Sequence, residues 1–398
     1  MTNGVKAIVI AMIVLLAAFA SGVPILFHLS YALLSIVALC AVWAFGNAHW
    51  MDVKRETRTH RTQVGGVVEE RFMVRNTSLV PKLWVEIRDS STLPDHRVSQ
   101  VFMLPPFSAK QITVKTVCRR RGEYVLGPCS VITGDPFGIF RRAKTVEQKN
   151  RLIVYPATVD LPQFEIPVGE LPGGYALRQR TPNVTPMAFG VRDYLPGDSL
   201  NRIHWPYTAR SGHLMTKEFE LDPTSDIWIL LDMEQRVQSG VGEDSTEEYG
   251  VIVAASLARH FLNKNRAVGV IACGSSYEVI HGDRGMRQLW KTLERLAVIR
   301  AEGRKPLAEI IAAEGARFGS NTTIIAVSPS LEESWARALK HLRGRGVRTV
   351  AVILEASTFG GKGNSMLVVG ELASADTPAY LVKRGDALEN VLVATGSR

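Results

Sequence analysis

The first fifty residues constrain this chain more than anything that follows them. From Ala7 to Phe45, a stretch of 39 residues, there is no Asp, Glu, Lys or Arg. One helix of that length would run about 58 Å, roughly twice the hydrocarbon thickness of a bilayer. Ser21, Gly22 and Pro24 sit near its middle and supply the chemistry of a tight turn. The stretch therefore reads as two passes, Ala7 to Ser21 and Ile25 to Phe45. The first is short, about 23 Å, so Lys6 would snorkel or the bilayer would thin around it.

Charge then sets the orientation. Lys6 precedes the first pass, while Lys54, Arg55, Arg58 and Arg61 follow the second, and the connecting turn carries no charge. Positive-inside reasoning places both ends in the cytoplasm, which makes this a multi-pass cell-membrane protein whose first partner is the lipid bilayer. Ala18-Phe19-Ala20 ahead of Ser21 also fits a signal-peptide cleavage site. If the second segment still spans, cleavage there leaves the soluble part on the same side. Cys40, Cys118, Cys129 and Cys273 are expected as free thiols in that compartment, Cys118 and Cys129 flanking an expected hairpin.

Composition excludes several classes for the remainder. With 398 residues there is room for two or three domains. A charged fraction of 21% and 33 Gly with 19 Pro rule out a disordered or collagen-like chain. Four cysteines, none in a close pair, rule out a disulfide scaffold or a thiolate zinc ribbon. Net charge is +9, from 47 basic and 38 acidic residues, and the pI is about 9.4. The juxtamembrane part of that excess follows from topology. Arg119-Arg120-Arg121 and Arg141-Arg142 lack interleaved aromatics for stacking on bases, so no nucleic acid partner is expected; they read first as a solvated strand edge, with attraction to anionic headgroups the next reading.

Period-2 patterning starts after the apolar segment. Leu83, Val85 and Ile87 alternate with Trp84, Glu86 and Arg88, and Ile112 and Val114 alternate with Thr113 and Lys115. Asn76-Thr77-Ser78, Pro105-Pro106, Gly127-Pro128 and Asp135-Pro136-Phe137-Gly138 break the runs as turns. Residues 49–156 are thus expected to form an all-β immunoglobulin-like sandwich behind a transmembrane helical hairpin at 1–48. Residues 157–225, rich in Pro and Gly, read as a connector. Residues 226–398 alternate strand and helix: the strand Ile227–Leu231, the stripe Val251, Ala255, Ala258, Phe261 and Leu262, the strand Ala267–Ala272, the stripe Met286, Leu289, Trp290, Leu293 and Leu296, the strand Thr322–Val327, the helix Leu331–Leu342 and the strand Thr349–Leu354. This predicts an α/β domain with a mostly parallel sheet of at least four parallel strands.

Inside the connector stands a long unbroken motif. It runs Phe189-Gly190-Val191-Arg192-Asp193-Tyr194-Leu195-Pro196-Gly197-Asp198, continues through Arg202-Ile203-His204-Trp205 to Ala209-Arg210, and ends Leu214-Met215-Thr216-Lys217-Glu218-Phe219-Glu220. This closely resembles the signature of the bacterial and archaeal family called domain of unknown function 58. Arg121-Gly122-Glu123-Tyr124 with Asp135-Pro136-Phe137-Gly138 also resembles that family's β region. The resemblance implies a membrane-anchored protein whose last domain is von Willebrand factor A-like. It further implies association with a MoxR-type AAA+ ATPase and with a transglutaminase-like membrane protein. No catalytic activity and no cofactor come with it.

A type A domain of that kind usually holds a divalent cation with an Asp-x-Ser-x-Ser loop after its first strand. Here that loop is Asp232-Met233-Glu234-Gln235-Arg236, both serines being replaced, and the later strand is followed by Ser328-Pro329-Ser330 without an acid. Asp232, Glu234 and Ser328 are read as a degenerate remnant, and no metal is expected. In the signature, Arg192, Asp193, Tyr194, Gly197, Asp198, Arg202, Trp205, Arg210, Lys217, Glu218 and Glu220 are the candidates for a docking surface or a structural lattice of charge-assisted bonds, with Trp205 expected to anchor on the sheet. The leading expectation is a non-enzymatic adaptor or scaffold that docks an AAA+ ATPase or a cell-envelope assembly factor. The alternative is a metal-dependent hydrolase using Asp193, Asp198, His204 and Asp232. No Walker A loop, His-Glu-x-x-His, Gly-x-Ser-x-Gly or Cys-x-x-Cys pattern occurs.

Overall fold

In the computed structural model, the described residues are 3–164, 188–194, 203–219, 226–319 and 321–393. The chain divides into two compact units, residues 1–157 with 296–298, and residues 158–295 with 299–398.

The first unit begins with two helices, α1 (Asn3–Ser21) and α2 (Pro24–His49). Gly22 takes a left-handed φ of +65°, which only glycine adopts cheaply, and its N–H donates to Ala18 O to end α1. Pro24 then starts α2, where a missing N–H costs nothing. Both helices are long and apolar enough to cross a membrane, each with mean hydropathy 2.3. Their large side chains, Leu16, Phe19, Leu39 and Val42 among them, point outward, while the small residues Ala11, Ala18 and Ala44 are buried. That inversion of the soluble-protein pattern suits helices packing together in lipid.

One residue, Trp50, separates α2 from β1 (Met51–Thr57). There follow β2 (Arg61–Gln63), β3 (Val67–Asn76), β4 (Lys82–Asp89), β5 (Ser99–Leu104), β6 (Ala109–Val117), β7 (Gly122–Leu126), β8 (Cys129–Gly134), β9 (Arg141–Val146) and β10 (Asn150–Tyr155). They form sheets of order β1-β3-β6, β2-β10-β7 and β5-β4-β8-β9. One buried cluster draws on the first and third sheets, with Val53, Phe72 and Ile112 from one and Val85, Ile87 and Val131 from the other. A second cluster joins Val68 and Cys118 to Leu126, Leu152 and Val154.

Two local expectations change. A bulge between Lys82 and Val85 shifts the phase of β4, so Lys82 is buried and Leu83 exposed. The segments flanked by Cys118 and Cys129 do not form a hairpin: β7 pairs with β10, and β8 with β4 and β9. The two cysteines are free and lie in different core clusters.

The second unit opens with the hairpin β11 (Ala188–Asp193) and β12 (Met215–Phe219), which encloses α3 (Trp205–Ser211). Then come β13 (Asp226–Leu231), the two-residue strands β14 (Gly240–Val241) and β15 (Asp244–Ser245), α4 (Thr246–Asn263), β16 (Val268–Cys273), β17 (Tyr277–Asp283), α5 (Gly285–Val298) and α6 (Leu307–Glu314). β18 (Thr322–Ser328), α7 (Ser334–Gly344), β19 (Arg348–Leu354), α8 (Met366–Ser374), β20 (Ala379–Val382) and α9 (Leu388–Val391) complete it. The helix expected from Leu331 starts three residues later, beyond the turn at Ser330.

Six strands form one sheet of order β17-β16-β13-β18-β19-β20, parallel except for the edge strand β17. Successive residues of a strand face opposite sides, and both sides are covered. Leu230, Ile324 and Ile353 pack with Ile310 of α6, Leu339 of α7 and Leu372 of α8. Leu231 and Leu354 meet α4 at Gly250, where an added Cβ would lie 3.3 and 3.4 Å from their methyl groups. Because β13 is laid down first in the middle and the chain then builds outward on each side in turn, strand order reverses between β13 and β18. A crevice outside the carboxyl ends of such strands is the usual ligand position of an open α/β sheet.

Candidate functional site

At that reversal stand the residues read as a metal remnant. Asp232 follows β13, and Ser328 ends β18. Both are buried, and Ser328 Oγ donates to Asp232 Oδ2 at 2.6 Å. Glu234 N–H donates to Asp232 Oδ1 at 3.1 Å, and Asp232 N–H donates to Val327 O at 2.9 Å. Burial raises the Asp232 carboxyl to about 6, helped by the charges of Glu234 and Glu332 and opposed by the two hydrogen bonds.

Glu234 is committed elsewhere. Its Oε1 accepts from Arg236 at 3.0 Å (Nε) and 2.9 Å (Nη2). Ser328 Oγ also accepts from Ser330 N–H at 2.9 Å, and Ser330 O accepts from Trp335 Nε1 at 3.3 Å. The two positions at which serine hydroxyls were expected thus carry a carboxylate and the guanidinium that neutralises it. A guanidinium has no acceptor and repels a cation, so this donor set does not fit a divalent ion.

The signature segment assembles differently. In the hairpin, Arg192 pairs with Thr216, Asp193 with Met215, Val191 with Lys217, and Gly190 with Glu218. His204 caps α3, its Nδ1 accepting from Tyr207 N–H at 3.1 Å, and Gly212 ends the helix at φ +77°. Thr208 Oγ1 accepts from Met215 N–H at 3.0 Å, which fastens α3 to β12. Asp193 pairs with His213 Nε2 at 2.9 Å on an exposed surface. Trp205, expected to anchor on the sheet, is 64% exposed instead, and Tyr207 and Arg210 are exposed beside it. α3 has no buried residue. Tyr194 is half-buried, and its N–H donates to Leu214 O. Gly197, Asp198, Arg202 and Glu220 lie outside the described residues.

Among the described residues, Asp193, His204 and Asp232 do not form a three-ligand group. Among the described residues the group that does form is Glu70, Asp89 and His96, in the first unit, which the sequence reading did not single out. His96 Nε2 lies 2.9 Å from Glu70 and 3.1 Å from Asp89, Arg55 lies 2.7 Å from Glu70 and 3.1 Å from Asp89, and all four side chains are fully buried. His96 Nδ1 meets Thr116 Oγ1 at 2.8 Å, and Thr57 Oγ1 donates to Glu70 at 2.9 Å. Burial alone would lower the His96 pKa, but hydrogen bonds and charge from Asp89 and Glu70 raise it to about 9. Two carboxylates facing one guanidinium and one imidazolium make a neutral, closed set. A metal would have to displace the imidazolium proton while standing beside Arg55. The group is a structural ion cluster.

The chain is 24% identical over 293 residues to the uncharacterized protein YeaD of Bacillus subtilis (strain 168), an alignment covering 70% of each. It is 29% identical over 111 residues to the uncharacterized protein Rv1480 of Mycobacterium tuberculosis, covering 27% of this chain and 34% of that one. Among solved structures it is similar to proximal thread matrix protein 1 from the mussel byssus, with TM-score 0.32 and 12% identity over 42% of this chain and 46% of that one. It is also similar to the CARDB domain of the PF1109 protein from Pyrococcus furiosus, with TM-score 0.20 and 15% identity over 26% of this chain and 91% of that one. At these scores neither likeness defines the fold. From within the β11–β12 hairpin to the end of β19 and the residues just beyond it, residues 190–357 match the family described as Protein of unknown function DUF58.

Proposed function

We propose that the chain is a member of that family acting as a membrane-anchored adaptor. α1 and α2 hold it in the bilayer, both termini being cytoplasmic. The β unit is an immunoglobulin-like sandwich, and the six-stranded unit is a von Willebrand factor A-like domain that docks a protein partner without a cation. The partner in this reading is a MoxR-type AAA+ ATPase or a transglutaminase-like membrane protein of envelope assembly.

One observation carries the docking part: α3 holds Trp205, Tyr207 and Arg210 outward from a helix fixed at both ends. Trp, Tyr and Arg are the residues that dominate interface energetics, and a rigid base removes the cost of ordering them on binding. The closed Asp232–Ser328 contact and the Glu234–Arg236 pair support a crevice without a metal. The strand order, with its antiparallel edge, supports the type A reading.

The test is capture from mildly solubilised native membranes by the full chain, carrying a photo-crosslinker at Tyr207. Recovery of the ATPase or an envelope protein, lost in Trp205→Ala with Arg210→Ala at unchanged thermal stability, is the expected result. Recovery of neither by the wild type, or equal recovery by the double variant, overturns it.

A further inference from the structure

The register of the first unit gathers three turns at the end where α2 enters. Met51 opposes Asn76, Arg75 opposes Ala109, Lys82 opposes Leu104, and Gly134 opposes Arg141. The β3–β4, β5–β6 and β8–β9 turns therefore all lie beside the start of β1. Hydrogen bonds tie them to the helix end and to each other. Thr77 N–H donates to Trp50 O at 3.1 Å, Phe107 N–H to Ser78 O at 3.3 Å, and Asn47 Nδ2 to Gly134 O at 3.3 Å. Phe140 lies against Gly4 near the start of α1, so the third turn touches both helices.

Each turn carries an outward apolar side chain: Leu79 is 78% exposed, Phe107 62% and Phe137 73%, and Trp50 at the α2–β1 junction is half-exposed. Single exposed apolar residues are ordinary, so position decides. The turns at the opposite end of the same strands are tipped by Arg58, Asp95, Arg120 and Lys149, all exposed, and the apolar residues there are the smaller, half-exposed strand-end pair Val67 and Val117. Apolar tips thus gather at the end from which the membrane-length helices emerge. Arg75, Lys110, Arg141 and Arg142 are exposed around them, against Asp52.

We propose that this end of the β unit is a third membrane contact. Leu79, Phe107 and Phe137 enter the interfacial layer of the bilayer, Trp50 sits in the aromatic belt, and Arg141 and Arg142 lie against headgroup phosphates. The inference rests on the reading that α1 and α2 span, because continuity with that interface identifies the occupant as lipid.

The experiment places an environment-sensitive fluorophore on single cysteines in the full chain, reconstituted in phosphatidylcholine–phosphatidylglycerol nanodiscs with and without doxyl-labelled lipid. Leu79→Cys, Phe107→Cys and Phe137→Cys report the tips, Leu39→Cys the middle of α2, and Lys149→Cys the opposite end. Unsubstituted chain gives the background from its four buried cysteines. Blue-shifted emission and doxyl quenching at 79, 107 and 137, as at 39 and unlike 149, are expected. Quenching at 39 with tips that behave like 149 overturns the third contact and leaves the spanning reading standing. No quenching at 39 overturns the spanning reading and the contact with it.

Discussion

Ser328 Oγ donates to Asp232 Oδ2 at 2.6 Å, a buried side-chain contact added to the backbone pairing of β13 and β18, the two strands between which strand order reverses. Folding raises the Asp232 pKa from 3.8 to about 6, chiefly by burial. The folded state therefore favours the protonated acid. Its contribution to stability is complete below about pH 4 and is lost as pH rises through about 6, amounting to about 3 kcal/mol at most. Asp232→Asn keeps an acceptor for Ser328 and removes the charge. Its melting temperature is expected to exceed that of the wild type at about pH 8 and to converge with it near pH 4. A lower melting temperature at the alkaline pH would contradict this account.

The ion cluster in the first unit has a pH signature of the same direction at its cationic member, displaced to higher pH. His96 rises from 6.5 to about 9 on folding, so its stabilisation is complete below about pH 6.5 and lost through about pH 9, worth about 3 kcal/mol. Glu70 and Asp89 are lowered, their hydrogen bonds to His96 and the Arg55 charge outweighing burial. Their share is present at neutral pH and lost as pH falls below the usual carboxylate range. Chemical denaturation of the full chain across alkaline pH should show the loss in the wild type and its absence in His96→Gln. The variant is expected to be the less stable protein near neutrality.

Lys82 Nζ donates to Asn47 Oδ1 at 3.0 Å and to Ser78 Oγ at 3.2 Å in a buried site, and burial lowers its pKa. Removing one partner from a buried charge costs more than removing the charge itself. Asn47→Leu is expected to destabilise by about 1–3 kcal/mol, whereas Lys82→Met, which fills the same space, costs less or nothing. Paired thermal melts in one detergent decide between this order and its reverse.

The three cysteines outside the helices should be inert while the chain is folded. Cys118 is pushed up to about 11 by burial, and Cys129 and Cys273 are raised for the same reason. Thiolates are the reactive species. Maleimide mass-tagging at neutral pH is expected to modify none of the three without denaturant and all three with it. Oxidation should not join Cys118 to Cys129, since they occupy separate cores.

Much of the architecture is readable from periodicity. The paired apolar helices, the period-2 region and the strand–helix alternation all come from which face each residue must bury. Strand order does not, since it depends on which side each crossover chooses. β17 and β20 escape notice because Tyr277–Asp283 mixes polar residues on a sheet edge and Ala379–Val382 is only four residues long. The ion cluster was legible in principle. Arg55 shares parity with Met51 and Val53, Glu70 with Phe72 and Val74, and Asp89 with Val85 and Ile87, so three charges stand on apolar faces. In the α3 region, Trp205 shows the limit of composition, because an aromatic residue in a motif does not say which way it faces.

Trp50 alone connects a helix of membrane length to the first strand of the β unit, and Asn47 is bolted to both Lys82 and the β8 backbone. The junction is consequently a shaft rather than a tether. Torque or tension applied to the β unit reaches α2 directly, with no slack to absorb it. A force on the β unit would therefore turn or pull α2 with it, where a flexibly linked domain would merely swing.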